Sequence, residues 1–288
     1  MPLNSAVVGT VGEPLSRDAD ARGLMAYAAG IGESAPVYFD TTRKGGIAAH
    51  PVFPVSLEWP ALLALRVGQG SGMSAAESLR GVHASQDTTL HRPIRAGEKL
   101  ETRAEIAGVQ ATSAGAYQMT RFETTDAKGQ PVVTTWYGTM FRGVEVSGES
   151  RPPEYALPAL PEPGPHEWQV ERALSAGAAH VYTECSDIWN PIHTDLQVAK
   201  LAGLPGLILH GTATLAMAVS AVIEQVAGGD PRRIIRFGGR FRASVPLPSS
   251  IVISGSRADA GAQAALFEVR NEDAKLALAE GFALLGAA

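Results

Sequence analysis

The sequence predicts an α+β protein in which a helix-then-sheet unit occurs twice in tandem. Three observations lead there. A proline-rich stretch cuts the chain near its midpoint, the two halves carry similar features in the same order, and in each half a long apolar helical segment precedes several strand-like runs.

The proline-rich stretch is 144–165, VEVSGESRPPEYALPALPEPGP, with prolines at 152, 153, 158, 161, 163 and 165. Proline lacks a backbone N–H and fixes its own φ, so such a stretch builds neither a helix interior nor a central strand and reads as an extended linker. It separates an N-terminal repeat at 1–143 from a C-terminal repeat at 166–288. With the halves overlaid at an offset of about 150, Tyr27-Ala28 answers to Tyr182 and HPVFPVSLEWPALLALRV (50–67) to LPGLILHGTATLAMAVSAVIEQV (204–226). Further on, Ile94 answers to Val245. Asp126-Ala127-Lys128 and Asp273-Ala274-Lys275 each sit between two strand-like runs, as hairpin connections do.

Each element has a local reason. From Thr212 to Val226 the residues Leu215, Met217, Val219, Val222, Ile223 and Val226 cover most of a helical circumference, so this helix must be buried on most sides. Gly228-Gly229 ends it. The runs RIIRFGGRFRASV, SIVISGSRA, QAALFEVRN and LALAEGFALLG are joined by connections too short for crossovers and are therefore antiparallel strands. A sheet wrapped around one central helix accommodates all of this.

Composition narrows the function. The chain has 288 residues and 45% apolar content, with 24 basic against 29 acidic side chains for a net charge of −5, the profile of a folded soluble protein. The acidic balance argues against a nucleic-acid binder. Cys185 is the single cysteine, which excludes an internal disulfide framework and fits a reducing cytoplasm. No basic n-region with an apolar stretch opens the sequence and nowhere do about 18 apolar residues run together, so neither signal peptide nor membrane span is expected.

The stretch Tyr182 to Gly211 carries the chemistry, gathering Asp187, Asn190, His193, Asp195 and His210. Asn190-Pro191 must be irregular, and Thr194 or Asp195 can cap a short helix over LQVAKLAG. Asp187, Asn190 and His193 thus lie on a loop leading into a helix, where a carboxylate and an imidazole can hold a water and move its protons.

The segment Ser186-Asp187-Ile188-Trp189-Asn190-Pro191-Ile192-His193, followed by Leu209-His210-Gly211, resembles the hydratase motif of MaoC-like (R)-specific enoyl-CoA hydratases, the hydratase 2 group. The resemblance implies two tandem hot-dog domains, each an antiparallel sheet around a long central helix, with the motif in the C-terminal repeat alone. It implies a lyase of fatty acid metabolism that reversibly hydrates a trans-2-enoyl-CoA or related thioester to the (3R)-hydroxyacyl form. Asp187 and His193 would activate the water, Asn190 would orient the site, and the Gly211 N–H would hold the thioester oxygen. A helix N-terminus suits that last role, because free N–H groups and the positive dipole end stabilise a developing enolate. No cofactor is expected beyond the coenzyme A of the substrate, and no metal. The expected partner is an acyl-CoA or acyl-carrier-protein thioester, with a homodimer of double hot-dog subunits as one assembly.

The spacing departs from the family in one respect. The family reads Gly-Asp-x-Asn-Pro-x-His, whereas here Ile188 aligns with the catalytic Asp and Asp187 lies one residue further out. A one-residue bulge could return Asp187 to the water, another acid such as Glu184 or Asp195 could replace it, or hydration could be lost; the bulge is the expectation. The alternatives to hydration are an acyl-CoA thioesterase on the same fold or a non-catalytic acyl-thioester binder. His210 is expected to be structural, fixing the loop that presents Gly211, and Cys185 to be a buried thiol rather than a nucleophile. On a strand, Arg236, Arg240 and Arg242 share one face, which is either a solvated surface or a seat for coenzyme A phosphates. His50, Tyr38 and Asp40 have no spacing that points to catalysis.

Overall fold

A computed structural model of the chain describes residues 2–68, 72–155, 157–162, 164–258 and 263–287. Ala156 and Pro163, both inside the expected linker, lie outside the described residues. The strands are β1 (Leu3–Asn4), β2 (Leu15–Ala19), β3 (Gly81–Leu90), β4 (Glu98–Thr112), β5 (Gly115–Asp126), β6 (Pro131–Arg142), β7 (Val146–Ser147), β8 (Trp168–Leu174), β9 (Ile234–Phe241), β10 (Ser249–Arg257), β11 (Ala264–Asn271) and β12 (Leu276–Leu285). The helices are α1 (Ala21–Gly30), α2 (Pro36–Phe39), α3 (Val55–Gly68), α4 (Ala75–Ser78), α5 (Ala178–Ser186), α6 (Leu196–Leu201) and α7 (Gly211–Gln225).

Ten of the strands form one sheet in the order β2-β4-β5-β6-β3-β9-β12-β11-β10-β8, and β1 pairs with β7 apart from it. Read outward from the centre, the N-terminal strands β3, β6, β5, β4 and β2 are matched by β9, β12, β11, β10 and β8. The halves therefore repeat one topology about a two-fold relation, and they meet where β3 pairs antiparallel with β9, Ser85 facing Arg240 and Asp87 facing Gly238. This is the double hot-dog arrangement. Among the described residues no helix is long and apolar enough to cross a membrane.

The central helices differ in what surrounds them. Every residue of α7 from Ala213 to Ile223 is buried, as its all-round apolar pattern requires. In α3, Pro60 sits inside the helix and cannot donate to the Ser56 carbonyl; the Arg17 guanidinium takes that oxygen instead, at 3.2 Å. The repeats also join through α1 and α5, which pack with Tyr27 and Tyr182 fully buried and their hydroxyls 3.4 Å apart. These are the residues that the overlay of the two halves pairs. Gly30 makes the approach feasible, since a Cβ there would stand 2.6 Å from the Cys185 Cβ. Cys185 is thus a half-buried packing group at this seam.

A second tie across the seam involves Asp87, which is 2% exposed. Arg236 grips it with two bonds of 2.9 and 2.6 Å, and the Tyr155 hydroxyl donates to it at 2.7 Å. Tyr155 belongs to the 144–165 segment, which runs back over the N-terminal repeat: β7 pairs with β1, and Arg151 bridges to Val109.

Candidate active site

Helix α5 ends at Asp187, whose φ of 57° is left-handed and whose N–H bonds the Thr183 carbonyl. Glycine favours that backbone conformation, and glycine is what the resembling motif has at this place. The turn sends the Asp187 side chain outward, where it is 70% exposed and paired with Arg17. Ile188, the next residue, is 5% exposed and lines the cavity below. No bulge returns Asp187 to the interior. Glu184 and Asp195 do not replace it: Glu184 is exposed, and Asp195 caps α6 by accepting from the N–H groups of Gln197 and Val198 at 2.8 and 3.1 Å.

His193 does reach the cavity. Asn190 caps the short turn Pro191–His193, with Oδ1 facing the Ile192 N–H at 3.5 Å, and both residues line the space. The His193 Nδ1 lies 2.9 Å from the Ile208 carbonyl, which can only accept, so the proton sits on Nδ1 and Nε2 keeps its lone pair. The carbonyl is itself held: Leu209 donates to Val245 at 2.8 Å and Leu247 to Leu207 at 3.1 Å. Burial pushes the His193 pKa down to about 4, so the ring is neutral at pH 7. Its ring stacks on His210 with centroids 3.7 Å apart. His210 is buried, its Nε2 lies 3.2 Å from the Thr183 hydroxyl, and its pKa is lowered first by burial and then by its coupling to the neighbouring His193 imidazole.

Gly211 opens α7 directly after His210. Its N–H and that of Thr212 precede the first intrahelical bonds, which Ala213 and Thr214 make to the His210 carbonyl at 3.1 Å each. A Cβ at Gly211 would lie 3.1 Å from the Phe241 ring, so the backbone is bare where the cavity passes.

The cavity has a volume of about 1290 Å³ and both repeats line it. Arg240 and Arg242 stand at its edge, 47% and 54% exposed, and share the Glu280 carboxylate. Arg236 does not belong with them, since it is committed to Asp87. The sequence suggests that the first repeat shelters the acyl chain but singles out no residue of it, yet Glu58, Arg66, His83 and Tyr137 all line the space. The signal was present: Glu58 and Arg66 are charged residues on an otherwise apolar helix, eight apart and so on one face. Burial raises the Glu58 carboxyl to about 7.

Known proteins resemble the chain over both halves. The FAS1-like, dehydratase domain region family matches residues 6–135 and the MaoC like domain family residues 163–276. The 3-hydroxyacyl-thioester dehydratase Y of Mycobacterium tuberculosis is 28% identical, covering 85% of this chain and 84% of that one. The peroxisomal enoyl-CoA hydratase 2 of Arabidopsis thaliana is 30% identical over 57% of this chain and 56% of its own length, so the match spans little more than half of either protein. Among solved structures, a MaoC-like dehydratase from Phytophthora capsici superposes with a TM-score of 0.84 at 22% identity, covering 96% of this chain and 95% of that one.

Proposed function

From a chain that joins a FAS1-like dehydratase region to a MaoC-like domain in one double hot-dog, we propose reversible hydration of a trans-2-enoyl thioester to the (3R)-hydroxyacyl thioester. The observation that carries this reading is the His193 geometry. A neutral imidazole is fixed with Nε2 free, beside the open N-terminus of α7.

In this reading the thioester oxygen sits on the Gly211 and Thr212 N–H groups. Water bound at His193 Nε2 gives up a proton as its oxygen bonds to C3, and the π electrons move to the thioester enolate. The imidazolium then returns its proton to C2 on the same face. One base takes and gives one proton, so a syn addition balances without a carboxylate from the Asp187 loop. A His193 pKa near 4 makes the imidazolium a strong acid for the second step. Asn190 acts through the turn it caps, and Ile188 walls the water from bulk solvent.

Arg240 and Arg242 are the coenzyme A phosphate seat of this proposal, reached by exchange of Glu280 for phosphate. The chemistry calls for no coenzyme beyond the one esterified to the substrate. We take 1–143 and 166–288 as the repeats, and the cytoplasm as the site of action on the strength of the single thiol. The test follows loss of enoyl-thioester absorbance with crotonyl-CoA and then resolves the product on a chiral phase. A (3R) product is expected. Release of free coenzyme A without hydration would favour a thioesterase instead. Saturable binding with no product would favour a non-catalytic binder, the reading to which the outward turn of Asp187 lends weight.

A further inference from the structure

The cavity does not stop at the motif. Past Phe241, whose ring lies 4.3 Å from that of His83, it runs along the α3 face that carries Val55, Glu58, Leu62 and Arg66. Here the two repeats differ chemically. Buried side chains on β10 to β12 are mostly apolar, Ile251, Ile253, Phe267, Val269, Leu278 and Phe282 among them, beside the polar Ser254, Ser256 and Asn271. On β3, β5 and β6 a polar cluster is buried beside apolar residues such as Phe122 and Phe141: Gln86, Thr88, Gln118, Thr120, Thr135 and Thr139, each no more than 2% exposed. Gln86 is the member of that cluster that lines the cavity; its Nε2 donates to the Thr88 hydroxyl, which pairs with that of Thr135.

Two acceptor oxygens along the cavity lack partners. Glu58 Oε1 and Gln86 Oε1 are buried without a hydrogen bond, and both residues line the cavity. Arg66 lines it as well and makes no hydrogen bond or ion pair among the described residues. Beyond the effect of burial, its charge is felt by both the His83 imidazole and the Tyr137 phenol, whose rings stack 3.9 Å apart. A cation in the last turn of a helix complements the dipole, but that role does not require a side chain turned toward the cavity.

We propose that the N-terminal half of the cavity holds an acyl group ending in a carboxylate, seated on the Arg66 guanidinium, so that ω-carboxylated enoyl thioesters are preferred over alkyl ones. The inference rests on the hydratase reading above. The guanidinium offers forked donors to the carboxylate, while Glu58, protonated below about pH 7, can donate a further hydrogen bond.

The experiment compares kcat/KM for a series of ω-carboxylated trans-2-enoyl-CoAs with methyl-terminated chains of the same length. The best carboxylated substrate should exceed its methyl counterpart about tenfold or more, and Arg66→Met should erase that ratio chiefly through KM, with Arg66→Lys between the two. An intact ratio in Arg66→Met, or preference for the methyl-terminated chains in the wild type, overturns the proposal. So does a loss in Arg66→Met that is equal for both series and vanishes with pantetheine thioesters, because Arg66 would then be holding a coenzyme A phosphate. If no enoyl thioester is hydrated, the hydratase reading fails by itself. Calorimetric titration with adipoyl-CoA against hexanoyl-CoA then still decides: tighter adipoyl-CoA binding that Arg66→Met abolishes upholds the seat, and equal binding rejects it.

Discussion

At the scale of residues, His193 and Asp187 have opposite fates despite lying on one loop. His193 is drawn in because a backbone carbonyl fixes its tautomer and His210 packs its face. Asp187 is turned out because a left-handed residue ends α5 and Arg17 waits outside. That arginine reaches Asp187 with one nitrogen and the Ser56 carbonyl, orphaned by Pro60, with another. Asp187→Asn should therefore lower turnover less than tenfold, where a positioned general acid would cost about 10²–10⁴-fold. The pH profile follows from the same environment. With burial holding His193 near 4, kcat/KM for crotonyl-CoA should stay level from neutral pH down to about 5 and fall only as the ring takes up its proton. A limb at the ordinary histidine value near 6.5 would show that His193 is solvated in the working enzyme.

At the scale of elements, the sequence is explicit wherever apolar period and chain punctuation agree. The all-round apolar run that begins at Thr212 becomes α7, and Asp273-Ala274-Lys275 becomes the β11–β12 turn with Ala274 at a φ of 58°. What stays hidden is orientation. Nothing local distinguishes a bulge before Asn190 from a left-handed cap at Asp187, because both satisfy the same residues and the choice depends on Arg17, 170 positions away. Likewise, no periodicity announces that Arg236 faces Asp87 while Arg240 and Arg242 face Glu280, since strand partners across the seam decide it. The helix start at Gly211 yields its own prediction. Gly211→Ala places a methyl 3.1 Å from the Phe241 ring, so it should reduce kcat about tenfold while leaving the thermal midpoint within a few degrees. Gly30→Ala should act the other way, since its Cβ would meet Cys185 at 2.6 Å: stability falls by about 1–3 kcal/mol as α1 and α5 part, read by denaturant titration.

At the scale of the whole molecule, the sheet is continuous and the seam between repeats is held by buried polar groups as well as by apolar contact. Asp87→Ala removes the shared acceptor of Arg236 and Tyr155 from a site 2% exposed, and should cost about 3 kcal/mol by chemical unfolding. His50 belongs to the same seam: Val52 donates to its Nδ1 at 3.2 Å, so its Nε2 donates to Ser220 of α7 at 3.2 Å. Burial lowers His50 and His83 to about 3 and His193 to about 4, whereas it raises Glu58 to about 7. Unfolded histidines take up protons as pH falls through about 6.5 and these folded ones do not, so the three favour the unfolded chain in acid. Glu58 acts oppositely, its folded form keeping a proton that the unfolded chain releases above about 4.5. The histidines outnumber it, and the thermal midpoint should drop between pH 7 and 5.

The proposed chemistry turns on one buried imidazole that lines a cavity shared by both repeats. Its most direct test is the rate of crotonyl-CoA hydration by the wild type, His193→Ala and Asp187→Asn, measured together. The account predicts turnover by the wild type, a loss of about 10²–10⁴-fold in His193→Ala, and less than tenfold in Asp187→Asn. An undiminished rate in His193→Ala, or an equally deep loss in Asp187→Asn, would contradict it.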